Sequence, residues 1–459
     1  MRATDFPRPG STRPAVPIAK FPHLSIFPFR LLIILLAATP VLAIAGGGLA
    51  PHLVALAAAL LLAAAAMAPQ AEIRATIQLL KRLWPAMLFP AAWMVLQAVP
   101  LPLASWVNPI WPSAAAALNE PSLWGHVSID PGATLRSLIA YAVMLSLMVA
   151  TIIVTRERQR AETILLVLGA VTTFMSAEVL LSRLGAFAGI VPAAGSAAAA
   201  IFVATAALGS LANTAAVIRG VERYLSRREL ENSSAAALLL GLCPGLAGLA
   251  VCLAALWSVA PGNVLVATAV GIAIMLYVVV VRRFAFRPWM AGVLLAIFAA
   301  MAAGIALQRF QGNPSAGILG FAAPAPAGSL AMAQRALSDA RWLGSGVGTF
   351  GSLAAVYQDF GTPPGSRAPT TAASIAIEWG WAALVILAGF ALQLFAFSFR
   401  GAVRRGRDSF FPAAAAAGIA VTFCEAFCDP ALLHPAVQVI TAVVLGLGIS
   451  QCVGRTSGL

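Results

Sequence analysis

Long apolar runs, separated by short polar connections, recur along almost the whole chain. A helix needs about 20 mostly apolar residues to cross the hydrocarbon core of a membrane. The runs that reach or approach this length are 31–48, 52–68, 83–100, 136–155, 162–182, 194–217, 236–259, 264–281, 288–307, 371–398, 410–427 and 436–453. The pattern predicts an all-α fold, a polytopic transmembrane helical bundle of about 12 helices.

Basic residues fall in short clusters at alternate connections between these runs. With residues 1–30 placed inside, 23 of the 29 Lys and Arg residues lie on the inner side. Cytoplasmic loops carry an excess of Lys and Arg, so this bias predicts that both termini are cytoplasmic. The six outer arginines are Arg136, Arg183, Arg309, Arg335, Arg341 and Arg367.

The composition excludes a water-soluble protein. Hydrophobic residues make up 61% of the chain and charged residues 10%, with a mean hydropathy of +0.91, whereas soluble domains carry about 25% charged residues. Since the net charge of +13 is distributed over the loops, it indicates contact with a lipid bilayer and no nucleic-acid partner. The five cysteines lack a paired spacing and are interpreted as packing residues.

Two predicted outer loops are longer than a connector requires. Loop 101–135 carries three tryptophans, whose rings favour the membrane interface. The larger loop lies between the ninth and tenth helices. The predicted organisation is a basic cytoplasmic tail at 1–30, helices 1–9 at 31–307, a large loop at 308–370 and helices 10–12 at 371–459.

The large loop supplies four candidate binding residues. Arg335 and Arg341 flank Asp339 in QRALSDARWLGSGVGTF, which could form a short amphipathic helix ending at Gly344. Paired guanidinium groups suit a diphosphate or carboxylate headgroup, because their planar forks bind such oxygens bidentately. The alternative is interfacial snorkelling and pairing with the aspartate. The remaining two candidates in this loop are Arg309 and Arg367.

Acidic residues within the predicted spans are also candidates. Glu178, Glu378 and Glu425 lie in the fifth, tenth and eleventh spans. A carboxylate is costly within a membrane, so each of these residues is a functional candidate by default. The alternative for each is a carboxylate satisfied by hydrogen bonds inside the bundle.

Neither a metal site nor a nucleotide site is predicted. Cys424 and Cys428 share a helical face, with Asp429 and His434 nearby, but the cluster lacks a recognised ligand spacing. The glycines of 344–348 lack the Lys-Ser/Thr of a P-loop and follow no predicted strand. A tight turn is the expected structure of this glycine run.

Four segments occur in an order typical of one family. VLQAVPLPLASWVNP ends the third span, VSIDPGATLRSL precedes the fourth, RALSDARWLGSGVGTFGSLAAVYQ lies in the large loop, and IEWGWAALVIL opens the tenth span. Together, over roughly 83–450, they resemble the O-antigen ligase and polysaccharide polymerase superfamily of bacterial inner-membrane proteins.

The resemblance implies a membrane glycosyltransferase that uses no nucleotide sugar, metal or other cofactor. Such an enzyme would move a glycan from undecaprenyl diphosphate to an acceptor hydroxyl on the periplasmic side, in lipopolysaccharide or exopolysaccharide biosynthesis. Arg335 and Arg341 would hold the donor diphosphate and stabilise its charge as it leaves. Other polysaccharide-assembly proteins are possible partners.

The chain departs from the family pattern at two places. The family's His-Asn pair falls here on Pro369 and Thr370, eleven and ten residues before Gly380, and a polar segment expected at the start of the sixth span reads AAGSAAAAIF. The usual base for the acceptor hydroxyl is therefore missing. Glu378 could substitute as the catalytic residue, because partial burial raises the pKa of a carboxyl group.

Two other functions are compatible with the sequence. A catalytically inactive relative could bind lipid-linked glycan or scaffold polysaccharide assembly, since both missing motifs are polar. A membrane transporter is suggested by Glu178, Arg183 and Glu425 in or beside the spans. Inverted repeats would favour transport, and the sequence contains none that is evident.

Overall fold

The computed structural model describes residues 26–45, 49–68, 70–102, 105–185, 197–228, 235–283, 314–323, 325, 327–358, 368–405 and 408–452. These ranges contain helices and no strand. The α-helices are α1 Phe27–Ala37, α2 Thr39–Ala45, α3 Leu49–Ala66, α4 Gln70–Leu80, α5 Trp84–Ala98, α6 Ile110–Leu118, α7 Pro131–Val154, α8 Arg158–Arg183, α9 Ala197–Arg228, α10 Ala235–Val259, α11 Gly262–Arg283, α12 Ala327–Ser338, α13 Phe350–Tyr357, α14 Thr371–Glu378, α15 Trp381–Arg404, α16 Phe410–Ala426 and α17 Pro435–Ser450. Two 3₁₀ segments are Pro314–Phe321 and Ala431–Leu433.

Seven of the described helices are long and apolar enough to cross a membrane: α3, α7, α8, α9, α10, α11 and α15. The pair α4 and α5, bent by 70°, would make an eighth if it forms one broken span. Three shorter apolar helices are α1, α16 and α17. The prediction of an all-α protein is confirmed for the described residues, which contain seven or eight candidate membrane spans. The number of about 12 stays a prediction, and the predicted span 288–307 lies outside the described residues.

Helix α9 forms the centre of the bundle, and 89% of its apolar window is buried. It packs against α8, α10, α11 and α16. Small residues permit these close approaches, as at Gly209, where an added Cβ would lie 2.7 Å from the side chain of Thr172 on α8. By contrast, only 11% of the α15 window is buried, so this apolar helix presents most of its surface to the surroundings.

Hydrogen bonds satisfy polar groups inside the bundle. The Nδ2 of Asn213 on α9 donates to Oγ1 of Thr173 and to the carbonyl of Gly209, both at 3.0 Å. Cys252 packs against this cluster and is fully buried, whereas Cys243 is exposed. The interpretation of the cysteines as packing residues therefore fits Cys252 and does not fit Cys243.

The predicted tenth span is broken near its start. It forms the short helix α14, a break at Trp379 and Gly380, and the long helix α15. Gly380 has a φ of +89°, and a Cβ there would overlap the carbonyl oxygen of Trp342. The close approach of the preceding loop therefore explains a break that hydropathy did not predict.

Candidate functional site

The four segments that carry the family resemblance meet at one place. Gln97, at the end of α5, is 1% exposed. Its Nε2 donates to the carbonyl oxygens of Leu343, at 2.7 Å, and Glu378, at 3.0 Å. Its Oε1 accepts a hydrogen bond from the backbone N–H of Val347, at 3.2 Å. One buried side-chain amide thus joins the end of α5 to two backbone segments that are distant from it in sequence.

The glycine run forms a tight loop, defined here as the glycine loop, residues 343–349. Gly344 and Gly346 have φ values of +76° and +108°, which favour glycine. A Cβ on the first would overlap the carbonyl oxygen of Glu378, and a Cβ on the second would overlap Oγ of Ser128. The glycines are required for close packing against two neighbouring segments, in agreement with the predicted turn.

Backbone hydrogen bonds fix the glycine loop on both sides. The N–H of Ser345 donates to the carbonyl of Ile377 at 3.1 Å, and the N–H of Gly346 donates to that of Glu378 at 3.0 Å. On the other side, Ile129 donates its N–H to the carbonyl of Ser345 at 2.8 Å. The loop is therefore held between α14 and the segment that leads into α7.

The start of α7 is built for this position. Asp130 is the N-cap, and its carboxylate accepts the N–H of Ala133 at 2.9 Å. Pro131 follows at the first helical position, where a missing N–H has no consequence. Ser128, fully buried, shares a hydrogen bond with the hydroxyl of Thr134 at 2.8 Å. The Ser-x-Asp-Pro segment thus has a direct structural explanation as a helix start.

Glu378 is 8% exposed and lies at the end of α14, outside the spans named above. Its Oε1 accepts the backbone N–H of Phe350, the first residue of α13, at 2.8 Å. Burial raises the pKa of this carboxyl group, while hydrogen bonds from the N–H groups of Gly348 and Phe350 act in the opposite direction. The side chain therefore holds the start of α13 and favours the protonated form more than a solvated glutamate does.

A small apolar core joins the three helices of this region. Met332 and Ala336 of α12 pack with Phe350 and Ala354 of α13 and with Ile377 of α14. The core places α12 beside the helix that ends at Glu378. Sequence separation alone did not predict this arrangement.

The structure describes two of the four predicted binding arginines. Arg335 is exposed in the last turn of α12, which ends at Ser338 rather than at Gly344. Arg341 directly precedes the glycine loop, and its Nη1 and Nη2 donate to the carbonyls of Val107, at 2.8 Å, and Ser105, at 3.1 Å. Arg341 therefore ties the two predicted outer loops together. The other two, Arg309 and Arg367, lie outside the described residues.

The residues at the position of the family's His-Asn pair are buried. Oγ1 of Thr370 accepts the N–H of Ala373 at 3.1 Å and caps α14. The next residue, Thr371, donates from both its N–H and its hydroxyl to the carbonyl of Asp429, each at 2.9 Å. Pro369 precedes this cap and is also buried. The segment supplies a helix start that is anchored to the connection between α16 and α17.

The buried Asp429 is expected to make stability depend on pH. It is 3% exposed, and burial raises its pKa from 3.8 to about 6, with the N–H of Ala431 acting in the opposite direction. The folded state binds this proton more tightly than the unfolded state, so the stabilisation is complete below pH 3.8 and is lost as pH rises through about 6. We expect Asp429→Asn to remove roughly 2 kcal/mol of pH-dependent stability between pH 4 and pH 7.

The measurement is the thermal unfolding midpoint of the purified protein at a series of pH values. Gln159→Met, at an exposed residue without a titratable group, is the control and should keep the wild-type pH dependence. An identical pH dependence for wild type and Asp429→Asn would contradict the assignment.

The acidic residues within the spans do not belong to the hydrogen bonds described around the glycine loop. Glu178 lies on α8, and its Oε2 is buried without a partner among the described residues. Glu425 on α16 is fully buried, and the described part of the chain offers no partner to either of its carboxylate oxygens. Arg183 instead donates to the carbonyl of Ser258, at 3.3 Å. Within the described ranges, no group of three or more His, Cys, Asp or Glu residues could hold a metal ion.

Sequence reasoning did not single out Gln97 or Trp93 as individual residues of the site. The indole N–H of Trp93 donates to the carbonyl of Trp379 at 2.9 Å, beside the helix break. The only available signal for the glutamine was its place in the Gln-x-x-Pro-Leu-Pro segment. No family model matches this chain, and no curated protein matches it significantly.

Proposed function

We propose that this protein is a bacterial inner-membrane glycosyltransferase of the O-antigen ligase or polysaccharide polymerase type. It transfers a glycan from undecaprenyl diphosphate to an acceptor hydroxyl on the periplasmic side. The proposal includes about 12 spans, cytoplasmic termini and a periplasmic loop at 308–370. Other polysaccharide-assembly proteins are its proposed partners.

One observation supports this proposal above the others. The segments that resemble the family, at Gln97, Ser128, 343–349 and Glu378, lie far apart in sequence and meet in one network of backbone contacts. The contacts require these residue types. The amide of Gln97 bridges two backbone segments, the glycines of the loop permit close approach, and Asp130 caps the start of α7. The shared motifs therefore describe one three-dimensional unit.

The proposed reaction assigns roles to three charged residues near this unit. The acceptor oxygen attacks the anomeric carbon of the donor, the bond from that carbon to the diphosphate oxygen breaks, and undecaprenyl diphosphate leaves. Arg335 stabilises the charge of the departing diphosphate. Glu378 takes the proton of the acceptor hydroxyl, and burial, which raises the pKa of its carboxyl group, makes the carboxylate a better proton acceptor than a solvated glutamate. Arg341 positions the two loops through Val107.

A second candidate function is a catalytically inactive relative that scaffolds polysaccharide assembly. It is favoured by the buried state of Glu378, whose carboxylate holds the N–H of Phe350. The helix cap at Thr370, which stands where the family has a polar pair, favours it as well. The two candidates differ in one expectation. In a correctly folded protein, a glycosyltransferase needs individual polar side chains for glycan transfer, whereas a scaffold does not.

The first experiment deletes the gene and measures surface glycans by gel and mass analysis, together with undecaprenyl-linked oligosaccharides. We expect loss of long or lipid-attached glycan and accumulation of the lipid-linked donor. Wild type should restore the profile. An unchanged glycan profile in the deletion strain would contradict both candidates and favour a transporter.

Complementation with variants separates the two candidates. Arg335→Ala should lower glycan transfer at least about tenfold, and Glu378→Gln, which keeps an oxygen for the N–H of Phe350, should lower it about a hundredfold or more. Arg74→Ala, at an exposed arginine of α4, is the matched control and should restore transfer fully. Full rescue by both site variants, at equal protein levels in the membrane, would establish the scaffold and reject the catalytic assignment.

A further inference from the structure

A compact cluster of arginines lies where α8 begins and α9 approaches its end. Arg158 on α8 contacts Glu162 through its Nε and Oε1 at 3.0 Å. Arg219 and Arg223 on α9 both contact the other oxygen of the same carboxylate, the first at 3.0 Å. Three guanidinium groups thus converge on one glutamate, which is nearly buried.

A second carboxylate extends the cluster without balancing its charge. Nη2 of Arg158 contacts Oδ1 of Asp408, at 2.9 Å, and Arg405 interacts electrostatically with both of these residues. Within the described residues, the arginine cluster, defined as Arg158, Arg219, Arg223 and Arg405, therefore carries four positive charges, and the carboxylates that contact it are Glu162 and Asp408. Glu222, also on α9, pairs with Arg282.

Two guanidinium nitrogens of the cluster are buried donors for which the described residues offer no acceptor. The buried Nε of Arg219 and the buried Nη1 of Arg405 have no hydrogen-bond partner in the described part of the chain. A buried donor without an acceptor is destabilising, and more so when it belongs to a charged group. An additional anion beside the exposed arginines of the cluster would offset its surplus positive charge, including that of the two side chains with unpartnered donors.

The position of the cluster indicates where such an anion comes from. Helices α8 and α9 are adjacent, and each is long and apolar enough to span a membrane. The side chains of Arg158 and Arg223, near the ends of these spans, are 51% and 46% exposed. Two turns further into α8, Leu166 is 42% exposed and offers apolar surface. Exposed charged groups at the end of a span, with exposed apolar surface further along the same helix, match the headgroup and acyl chains of a phospholipid.

We propose that the arginine cluster binds the phosphate group of an anionic phospholipid headgroup at the membrane surface. Arg158 and Arg223 donate to phosphate oxygens through guanidinium forks. Glu162 keeps the two side chains side by side, and the acyl chains lie along the apolar surface of α8. This site is independent of the proposed glycosyl transfer.

The test measures lipid binding to the purified full-length chain in detergent by native mass spectrometry and by the thermal unfolding midpoint. Phosphatidylglycerol should bind and raise the midpoint, whereas phosphatidylcholine and inorganic phosphate should have much smaller effects. Arg223→Gln should weaken the apparent affinity for phosphatidylglycerol about tenfold. Arg183→Gln, at the other end of α8, is the matched control and should bind as wild type does.

Three outcomes would overturn the proposal. They are equal stabilisation by phosphatidylcholine, equal stabilisation by inorganic phosphate, and an unchanged affinity for phosphatidylglycerol in Arg223→Gln. Should Arg223→Gln fail to fold, Arg158→Gln and the charge-conserving Arg223→Lys provide the same comparison. The lysine variant is expected to bind with intermediate affinity, because it keeps the charge and loses the fork.

Discussion

Gly344→Ala is expected to lower the free energy of unfolding by roughly 3 kcal/mol or more. The φ of +76° at this position is unfavourable for alanine. The added Cβ would also overlap the carbonyl oxygen of Glu378 and lie within 2.5 Å of the backbone carbon of Trp379. Backbone atoms at a helix break have little freedom to move, so the glycine loop would have to separate from α14.

The measurement for Gly344→Ala is the thermal unfolding midpoint of the purified protein, with limited proteolysis of the glycine loop as a local probe. Gly351→Ala is the matched control, because Gly351 lies in α13 and a Cβ there meets nothing within 4 Å. We expect the control to unfold at the wild-type temperature or slightly above it, since alanine favours a helix. Equal midpoints for the two variants would show that the close approach at Gly344 is not required.

Gln97→Met is expected to destabilise the protein by about 3 kcal/mol, although the two side chains are similar in volume. The change removes the side-chain partner of the Leu343 carbonyl and of the Val347 N–H. It also removes one of two donors to the Glu378 carbonyl, which keeps the N–H of Gly346. Each buried polar group that loses its partner costs about 1–3 kcal/mol. The three losses share one site, so their sum is smaller than three independent penalties.

The effect of Gln97→Met is measured by thermal unfolding and by glycan transfer in the complementation assay. Gln159→Met is the matched control, because Gln159 is exposed near the start of α8, and it should behave as wild type. If the proposed function is correct, Gln97→Met loses transfer through displacement of the glycine loop. A fully stable Gln97→Met protein would contradict the bridging role of the amide.

The positions of most long helices could be predicted from local sequence. The expected span 162–182 is found as Arg158–Arg183, and the span 264–281 as Gly262–Arg283. Length and hydropathy determine such helices, because a backbone in a membrane must satisfy its own hydrogen bonds. The helix break at Gly380 could not be predicted in this way, since it depends on the approach of Trp342 from another loop.

The candidate site was predictable only as a set of segments. Gln97 contacts two residues that lie 246 and 281 positions further along the chain, Leu343 and Glu378. Its partners there are backbone atoms, which every residue type has, so the sequence does not identify them. Arg341 was expected to bind a ligand, yet two of its donors contact backbone carbonyls of the first predicted outer loop. Asp429 was noted only as a neighbour of two cysteines, whereas it anchors the start of α14 through Thr371.

By itself, the sequence determined that this is an all-helical chain suited to a membrane, because hydropathy acts residue by residue over about 20 positions. It also predicted the tight turn at glycines 344–348, which depends on neighbouring residues alone. Only the tertiary structure decided that the glycine loop, Gln97 and Glu378 form one unit. It also decided that three arginines converge on the carboxylate of Glu162. Contacts between distant segments depend on how the helices pack, and no local pattern encodes that packing.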